Sequence, residues 1–336
     1  MDAVKAAIVR PAGAVDLLLK LGRADMEGVD ALILQRMQSP VSVIPLLAEH
    51  LIAAGGKRLR PLLTVSAARL AGGRGDGALK LAAAVEFIHT ATLLHDDVVD
   101  SSQLRRGKVA AHLIWGAPSS VLVGDFLFAR AFELMVETGS LEALGILARA
   151  SRVIAEGEVL QLTQSHDLKL SQATYLEIIG AKTAELFAAA TEAGAVSAGA
   201  DRRQSEALRS YGRNFGLAFQ LADDALDYAG ATETLGKNAG DDFREGKATL
   251  PLILAIARSG SREAGFWERV ISRRDQTDAD FRRARELVVG TGAHDATLDL
   301  AADYADTAKQ ALAIFPAGDW RTALESLADF AVSRRA

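Results

Sequence analysis

The chain has 336 residues, of which 49% are hydrophobic and 6% are aromatic, and its formal net charge at pH 7 is −5. This charge gives no electrostatic reason to expect binding to nucleic acid or to anionic membranes in general. The complete absence of cysteine excludes disulfides and thiolate metal sites, and it is consistent with a reducing cytoplasm.

Apolar residues recur with a period of about 3.6 through most of the chain, and no convincing alternating strand interrupts them. The predicted helices span residues 26–37, 42–54, 57–71, 76–100, 118–138, 141–165, 171–198, 201–228, 248–259, 277–290, 295–315 and 319–334. Charges and four glycines predict a loop over 229–247. We predict an all-α protein: one large helical bundle, a single domain over 1–336, with a less regular N-terminal arm over about 1–38.

The sequence contains no clear membrane-spanning segment. No charge-free stretch reaches the roughly 18 residues that indicate a span, and the most apolar one, residues 81–94, is interrupted by Glu86 and His89. The N-terminus carries Asp2 and Lys5 ahead of a short apolar run, which is not the layout of a signal peptide. We therefore expect a cytoplasmic protein without a transmembrane segment.

Two copies of one acidic motif end apolar helical stretches, at Asp96–Asp100 and at Asp223–Asp227. Residues i and i+4 share a helix face, so each motif presents two carboxylates side by side. At an effective dielectric of about 20, two charges about 4 Å apart repel by about 4 kcal/mol, so a partly buried pair favours a bound cation. Mg²⁺ usually takes one or two carboxylates plus substrate phosphates. Two such motifs facing each other would hold a polyphosphate between them.

Basic residues are concentrated near the first acidic motif. The segment Gly55–Pro61 opens a predicted helix, so that backbone N–H groups and two or three cations meet at its positive end and suit a diphosphate. Arg105 and Arg106 form a guanidinium pair suited to bidentate phosphate contacts. His89 lies on the same helical stripe as Asp96, although a single histidine there is more often a core residue.

These motifs resemble the trans-polyprenyl diphosphate synthase family, the head-to-tail isoprenyl diphosphate synthases, of the long-chain octaprenyl, solanesyl or decaprenyl type. The resemblance runs from about Gly55 to Pro251. It depends on GGKRLRP, DDVVD with RRG, GDFLFARAF from Gly124, KT at 182–183, FQLADDALD, and GKNAGDDFREGKATLP from Gly236, in the family's order and spacing. It implies an isoprenoid synthase bundle with a central cavity.

The resemblance also implies the substrates, the metal and the site residues. The substrates are isopentenyl diphosphate and an allylic diphosphate, and the cofactor is Mg²⁺. The implied metal ligands are Asp96, Asp97, Asp100, Asp223 and Asp227, of which Asp97 and Asp227 are indirect. The implied contacts of the allylic diphosphate are Arg105, Lys182, Gln220, Lys237 and Lys247. The implied contacts of isopentenyl diphosphate are Lys57, Arg60, His89 and Arg106. Thr183 and Gln220 present oxygen dipoles to the allylic carbocation, and they act in catalysis with Asp96, Asp100, Asp223 and Lys182.

The helix before the first acidic motif bears on product length. Thr92 and Ala91 lie four and five residues before Asp96, about 6 to 7.5 Å along the axis at about 1.5 Å per residue. The resemblance implies that an aromatic residue blocks this depth in short-chain members, whereas here it is open and Ile88 lies deeper. We predict a C40 to C50 product, as in a ubiquinone side chain. The alternatives are a geranylgeranyl or farnesyl diphosphate synthase with a shorter product. In that case Ala91 and Thr92 have no role in product length and only let two helices pack closely.

Two other classes of function compete with this hypothesis. A terpene cyclase also uses acidic motifs of this kind, but it needs no second diphosphate substrate, so the basic residues argue against it. A noncatalytic partner subunit would be expected to lose one acidic motif or the Arg105–Arg106 pair, and this chain keeps them all. The resemblance further implies a homodimer with its interface on long apolar helices such as 118–138. Any membrane contact is transient and serves product release.

Overall fold

Helices form nearly all of the computed structural model, which describes residues 12–53, 58–105, 107–229 and 240–333. The first eight are α1 (Ala12–Arg36), α2 (Val43–Ala53), α3 (Leu59–Leu70), α4 (Gly77–Val99), α5 (Ala111–Trp115), α6 (Ala117–Glu137), α7 (Leu141–Thr163) and α8 (Gln172–Ile179). The rest are α9 (Glu185–Ser197), α10 (Arg202–Leu226), α11 (Asp241–Glu245), α12 (Leu250–Ser259), α13 (Ala264–Trp267), α14 (Asp278–Gly290), α15 (Ala293–Ala311) and α16 (Asp319–Ser333). The predicted all-α class is confirmed.

Two helices that contribute to the site, α7 and α10, begin at side-chain caps. Ser140 Oγ accepts the backbone N–H of Ala143 at the start of α7, at 3.1 Å. The start of α10 is a capping box, in which Asp201 accepts the Gln204 N–H at 2.8 Å and the Gln204 side chain accepts the Asp201 N–H at 3.1 Å. Such caps satisfy N–H groups that have no partner inside the helix, so they fix where each helix begins.

Helix α4 lies at the centre of the bundle and packs against α1, α3, α6 and α9. Helix α10 packs against α9, α15 and α16. By length and composition α4 could cross a membrane, but 67% of its most apolar window is buried inside the protein. Its apolar sequence is therefore explained by its place in the core.

The predicted helix over 171–198 is confirmed, with one irregular turn. Residues Gly180–Ala184 form a π-helical turn between α8 and α9. A π turn adds a residue to the helical repeat, and such turns are frequent at functional sites. Lys182 and Thr183 both lie in this π turn.

The expected irregularity of the N-terminal arm is wrong for residues 12–36, which form the 25-residue helix α1. Val15, Leu18, Val29 and Ile33 are buried along one face of it. Gly22 in the sequence favours a break in the helix. In the structure the helix continues, and Gly22 lies where α1 approaches α3, since a Cβ there would be 2.9 Å from Leu62 Cδ1. Tertiary packing therefore outweighs the low helix propensity of glycine.

The loop predicted over 229–247 is correct only in part. Residues 230–239 lie outside the described part of the chain, and Asp241–Glu245 form the one-turn helix α11. Gly240 and Gly246 flank this turn with φ of 87° and 71°, conformations that favour glycine. The sequence also missed α5, α13 and a two-stranded hairpin of β1 (Leu104–Arg105) and β2 (Lys108–Val109). That residues 1–336 form one domain stays a prediction.

Candidate active site

One cavity of about 800 Å³ collects most of the predicted site. It lies between the start of α3, the C-terminal half of α4, α7, the π turn, α10 and α11. Both acidic motifs line it, the first through Asp96 and Asp100 and the second through Asp223. The structure therefore brings together two motifs that are far apart in the sequence.

The carboxylates of the first motif lie in a mixed field of charges. The pKa of Asp96 is raised to about 7, and burial is the largest cause. Lys182 lowers this pKa, whereas Glu158 and Asp100 raise it. A buried acid among other acids binds a proton or a cation more readily than one in water does. Within the described residues, no three acidic or histidine side chains are close enough together to hold a metal ion by themselves.

Two lysines approach the first motif from other parts of the chain. Lys182 Nζ lies 3.8 Å from Asp96 Oδ2 and 2.5 Å from Glu158 Oε1. Lys247 Nζ lies 3.0 Å from Asp100 Oδ2 and 2.6 Å from a carboxylate oxygen of Glu245. Burial lowers the pKa of Lys247, but the carboxylates of Glu245 and Asp100 outweigh it, so the net direction is upward. Both lysines therefore lie at the cavity wall, each between two carboxylates.

Glu158 reaches Lys182 because α7 and the π turn are unusually close. A Cβ on Gly157 would lie 2.6 Å from Ala181 Cβ and 3.1 Å from the Lys182 backbone nitrogen. Only glycine permits this approach without a shift of one element. Sequence reasoning missed Glu158; the available signal was an acidic residue directly after a glycine in a long apolar helix.

The basic part of the site lies where α3 begins. Arg60 Nη1 is 3.2 Å from His89 Nε2, and its guanidinium carbon lies 4.2 Å from the centre of the Phe187 ring. Arg105 lines the cavity, and its Nε donates to Asp97 Oδ1 at 2.8 Å. Lys57, Arg106 and Lys237 lie outside the described residues.

A hydrogen-bonded chain connects the π turn to the second acidic motif. Thr183 Oγ1 donates to Gln220 Oε1 at 3.0 Å, and Gln220 Nε2 donates to Asp224 Oδ1 at 2.6 Å. The hydroxyl of Tyr175 donates to Asp224 Oδ2. Burial raises the pKa of Asp224, as does Asp242, whereas the two donated bonds lower it.

Two predicted metal ligands have other partners. Asp97 is fully buried, and its Oδ1 accepts from Arg105. Asp227 accepts the backbone N–H groups of Gly240, Asp241 and Asp242 at 2.9 to 3.2 Å, which fastens the start of α11. The structure thus gives Asp97 and Asp227 supporting positions, and a metal role for either stays a prediction.

The predicted chain-length residues divide into two groups. Thr92 lines the cavity, and its hydroxyl donates to the His89 carbonyl at 2.8 Å. Ala91 and Ile88 are fully buried in the largest core cluster. Their role in chain length stays a prediction.

Several further residues line the cavity that sequence reasoning did not select. They are acidic or aromatic and come from four elements. They include Glu86, Phe187, Phe219, Asp241, Asp242 and Glu245. Glu86 lies three residues before His89 on α4 and is only 8% exposed, so the helical stripe that carries His89 and Asp96 was the signal that could have found it.

Comparison with known proteins decides which family the chain belongs to. A family model described as polyprenyl synthetase matches residues 41–288. The chain belongs to the polyprenyl synthetase family. The octaprenyl diphosphate synthase of Escherichia coli (strain K12) is 44% identical to this chain over 315 residues, which are 94% of this chain and 97% of that protein.

Solved structures agree with this assignment. A polyprenyl synthase from Caulobacter crescentus CB15, complexed with calcium and isoprenyl diphosphate, is 81% identical with a TM-score of 0.93, and the match covers 96% of this chain and 98% of that one. A decaprenyl diphosphate synthase from Rhodobacter capsulatus is 51% identical with a TM-score of 0.91, over 96% of this chain and 99% of that one. The chain therefore has the all-α isoprenoid synthase fold and is a prenyltransferase. The family resemblance seen in the sequence is confirmed.

Members of this family use isopentenyl diphosphate and an allylic diphosphate as substrates, and they generally depend on a divalent metal. The carboxylates of this polyprenyl synthetase fit such an ion. Asp96, Asp100 and Asp223 line one cavity and offer the oxygen ligands that hard cations prefer. Mg²⁺ commonly completes its coordination with substrate phosphates, so a site with few protein ligands close together is the expected kind.

Proposed function

We propose that this protein is an Mg²⁺-dependent, long-chain all-trans-polyprenyl diphosphate synthase. It condenses isopentenyl diphosphate units head-to-tail onto an allylic diphosphate. The observation that carries the proposal is that Asp96, Asp100 and Asp223 line one cavity together with Lys182 and Lys247. Cations and acids of this kind around one space suit a metal-bound diphosphate better than any neutral ligand.

The allylic diphosphate binds between the two acidic motifs. Lys182, Lys247 and Arg105 reach its oxygens by turning from their present carboxylate partners. When bound, Mg²⁺ supplies the positive charge that stabilises the departing diphosphate. The carbon–oxygen bond breaks, the electron pair leaves with the diphosphate, and an allylic carbocation remains. Electrostatic stabilisation of developing charge by fixed groups is usually the largest single contribution to such a step.

Isopentenyl diphosphate binds at the basic end of the cavity. Arg60 and His89 hold its diphosphate together with Lys57 and Arg106, which lie outside the described residues. Its double bond attacks the carbocation and forms the new carbon–carbon bond. The proton that is then lost passes to the released diphosphate, which completes one cycle of elongation.

The product has a chain of C40 to C50 and serves as a ubiquinone side chain. Two comparisons support this length, since the similar proteins include an octaprenyl and a decaprenyl diphosphate synthase. Thr92 on the cavity wall supports it too, because a small side chain lies there where an aromatic ring would stop the growing chain.

The enzyme is a cytoplasmic homodimer that touches membranes only transiently, when it releases product. Exposed apolar side chains on α6 support the dimer: Leu122 is 66% exposed and Val136 is 64% exposed. A terpene cyclase is less well supported, because the Arg60–His89 pair has no role in it.

Product analysis of the purified wild-type protein tests the proposal. The protein is incubated with farnesyl or geranylgeranyl diphosphate, labelled isopentenyl diphosphate and Mg²⁺, and the dephosphorylated products are separated by chromatography. We expect C40 to C50 polyprenols that disappear when Mg²⁺ is removed. Cyclised products formed without isopentenyl diphosphate would identify a cyclase, and elongation of farnesyl diphosphate that stops at C20 would identify a geranylgeranyl diphosphate synthase. A C15 product formed only from dimethylallyl or geranyl diphosphate would identify a farnesyl diphosphate synthase, and no turnover of any of these starters would identify a noncatalytic subunit.

A further inference from the structure

A buried tyrosine lies behind the reacting part of the cavity. Tyr175 on α8 is only 3% exposed, and its hydroxyl donates to Asp224, which is 2% exposed. Neither side chain lines the cavity of about 800 Å³ in which the diphosphates are expected; both line a smaller neighbouring cavity of about 320 Å³. Thr183 and Gln220 line both cavities, so they connect the buried pair to the site.

The geometry of these groups gives each hydrogen bond between them a direction. Asp224 accepts one from the Tyr175 hydroxyl at Oδ2 and one from the Gln220 amide nitrogen at Oδ1. With its nitrogen turned toward Asp224, Gln220 presents its amide oxygen to Thr183, 3.0 Å away. An amide oxygen carries no hydrogen, so the Thr183 hydroxyl must be the donor.

The directions of these hydrogen bonds fix the orientation of the Thr183 hydroxyl. Its only hydroxyl proton points to Gln220, and the remaining lone pairs of its oxygen are free to face the cavity. A carbocation is stabilised by lone pairs and disfavoured by a proton pointing at it. Dipoles that are already oriented in this way stabilise the charge that develops during a reaction, because they need not reorient as it forms.

We infer that Tyr175 is a positioning residue, which acts through Asp224 and Gln220 to hold the Thr183 hydroxyl with its oxygen lone pairs toward the allylic carbocation. This inference rests on the proposed function. Tyr175 does not line the cavity in which the diphosphates are expected, so loss of its hydroxyl should lower the rate of ionisation and condensation while the affinity for both diphosphates stays the same.

A double-mutant cycle tests this inference. Tyr175→Phe removes the hydroxyl and little else, and Thr183→Val removes the last group of the chain at nearly equal volume. In single-turnover assays of the first condensation at saturating substrates, we expect Tyr175→Phe to slow the reaction by about 10- to 100-fold, the range known for hydrogen-bonding partners that orient metal ligands. In the Thr183→Val background, the same substitution should change the rate by less than about twofold, because nothing remains to be oriented.

Tyr211→Phe is the matched control. Tyr211 is fully buried in another core cluster, and its hydroxyl donates to the Leu324 carbonyl at 2.8 Å. Tyr211→Phe loses a comparable buried hydrogen bond that is not part of the series from Tyr175 to Thr183, so the rate should stay within about twofold of the wild type. A merely structural role for Tyr175 predicts the same small change and a lower melting temperature for both variants.

Each outcome has a distinct meaning. An unchanged rate in Tyr175→Phe, a loss that appears only in the KM values, or independent effects in the cycle would overturn the inference while leaving the proposed function intact. A wild-type enzyme that does not condense the substrates overturns both. If Tyr175→Phe does not fold, Asp224→Asn should retain more activity than Asp224→Ala, because its amide oxygen still accepts from Gln220; equal losses would count against the inference.

Discussion

At the scale of residues, each lysine of the cavity lies between two acids. Lys182 contacts Asp96 of the first motif and Glu158 of α7, and Lys247 lies between Asp100 and Glu245 in the same way. In both cases the shorter distance is to the glutamate. The glutamates therefore hold both ammonium groups beside the first motif, where Lys247 also contacts Asp100.

Removal of one aspartate from either motif should abolish most activity. We expect Asp96→Ala and Asp223→Ala each to reduce turnover by several orders of magnitude, since losing even a single electrostatic contact commonly reduces turnover by about 10²- to 10³-fold. Turnover is measured with labelled isopentenyl diphosphate, and circular dichroism should show unchanged helicity. Asp299→Ala, at an exposed position on α15, is the control. Near-normal turnover in either variant would refute the metal assignment.

The small side chain of Thr92 should determine how far the product grows. Thr92→Phe places a ring on the cavity wall and should shorten the products, as chromatography of the polyprenols will show. Thr92→Val is the control: it removes the hydroxyl at nearly equal volume and should leave the product length unchanged. Ala91→Phe instead overfills the core at a cost of about 1–3 kcal/mol. Full-length products from Thr92→Phe would exclude Thr92 from length control.

Some site residues could be predicted from the sequence and others could not, for a physical reason. Asp96 and Asp100 share a helix, so their common face follows from helical geometry alone. The partners Glu158 and Tyr175 come from α7 and α8, and only tertiary packing places them beside Lys182 and Asp224. A contact between two helices has no periodic signal in the sequence of either one.

At the scale of elements, the π turn and α7 form one functional unit. The π turn displaces Lys182 and Thr183 from the regular helical phase, and Gly157 brings α7 against it. The positions of Glu158 and Lys182 therefore depend on a backbone contact as well as on their own side chains.

Two glycines in α7 give a matched test of this contact. Gly157→Ala places a methyl group 2.6 Å from Ala181 Cβ, so we expect a loss of about 1–3 kcal/mol in unfolding free energy and at least a tenfold lower rate. Gly145→Ala meets only the flexible end of Arg149, at 3.4 Å, and should raise stability by up to about 1 kcal/mol. Denaturant unfolding and single-turnover rates measure both effects. Equal behaviour of the two variants would show that the close contact is unimportant.

Long helices were predictable and short elements were not. The apolar period specified α4, α6, α7 and α10 within a few residues, because each has several turns of pattern. Helix α11 has only five residues, and it is held by the Asp227 carboxylate and two flanking glycines that the sequence pattern assigned to a loop. Capping by a distant side chain leaves no periodic trace.

At the scale of the whole molecule, helix α6 has apolar side chains that the described part of the chain leaves exposed to solvent. Val121, Leu122, Phe132 and Val136 are between 38% and 66% exposed. Contiguous exposed apolar side chains commonly mark a protein interface. This surface is the basis of the proposed homodimer.

A charge on this surface should weaken the dimer. We expect Val136→Asp to raise the dimer dissociation constant by at least about tenfold, equivalent to about 1.4 kcal/mol, because a desolvated carboxylate opposes association. Val289→Asp is the control, since Val289 is similarly exposed, at 56%, but lies on α14. Sedimentation velocity over a range of concentrations measures both. An unchanged association state for Val136→Asp would place the interface elsewhere.

The position of Thr92 and Asp96 on one helix has a consequence for product length. Thr92 lies four positions before Asp96, about 6 Å along the axis of α4. Because the rise per residue of an α-helix is fixed, α4 sets a constant distance between the first acidic motif and Thr92. Substitutions in α7 or α8 that slow the reaction do not change this distance. A slow variant and the wild-type enzyme should therefore release polyprenols of equal length.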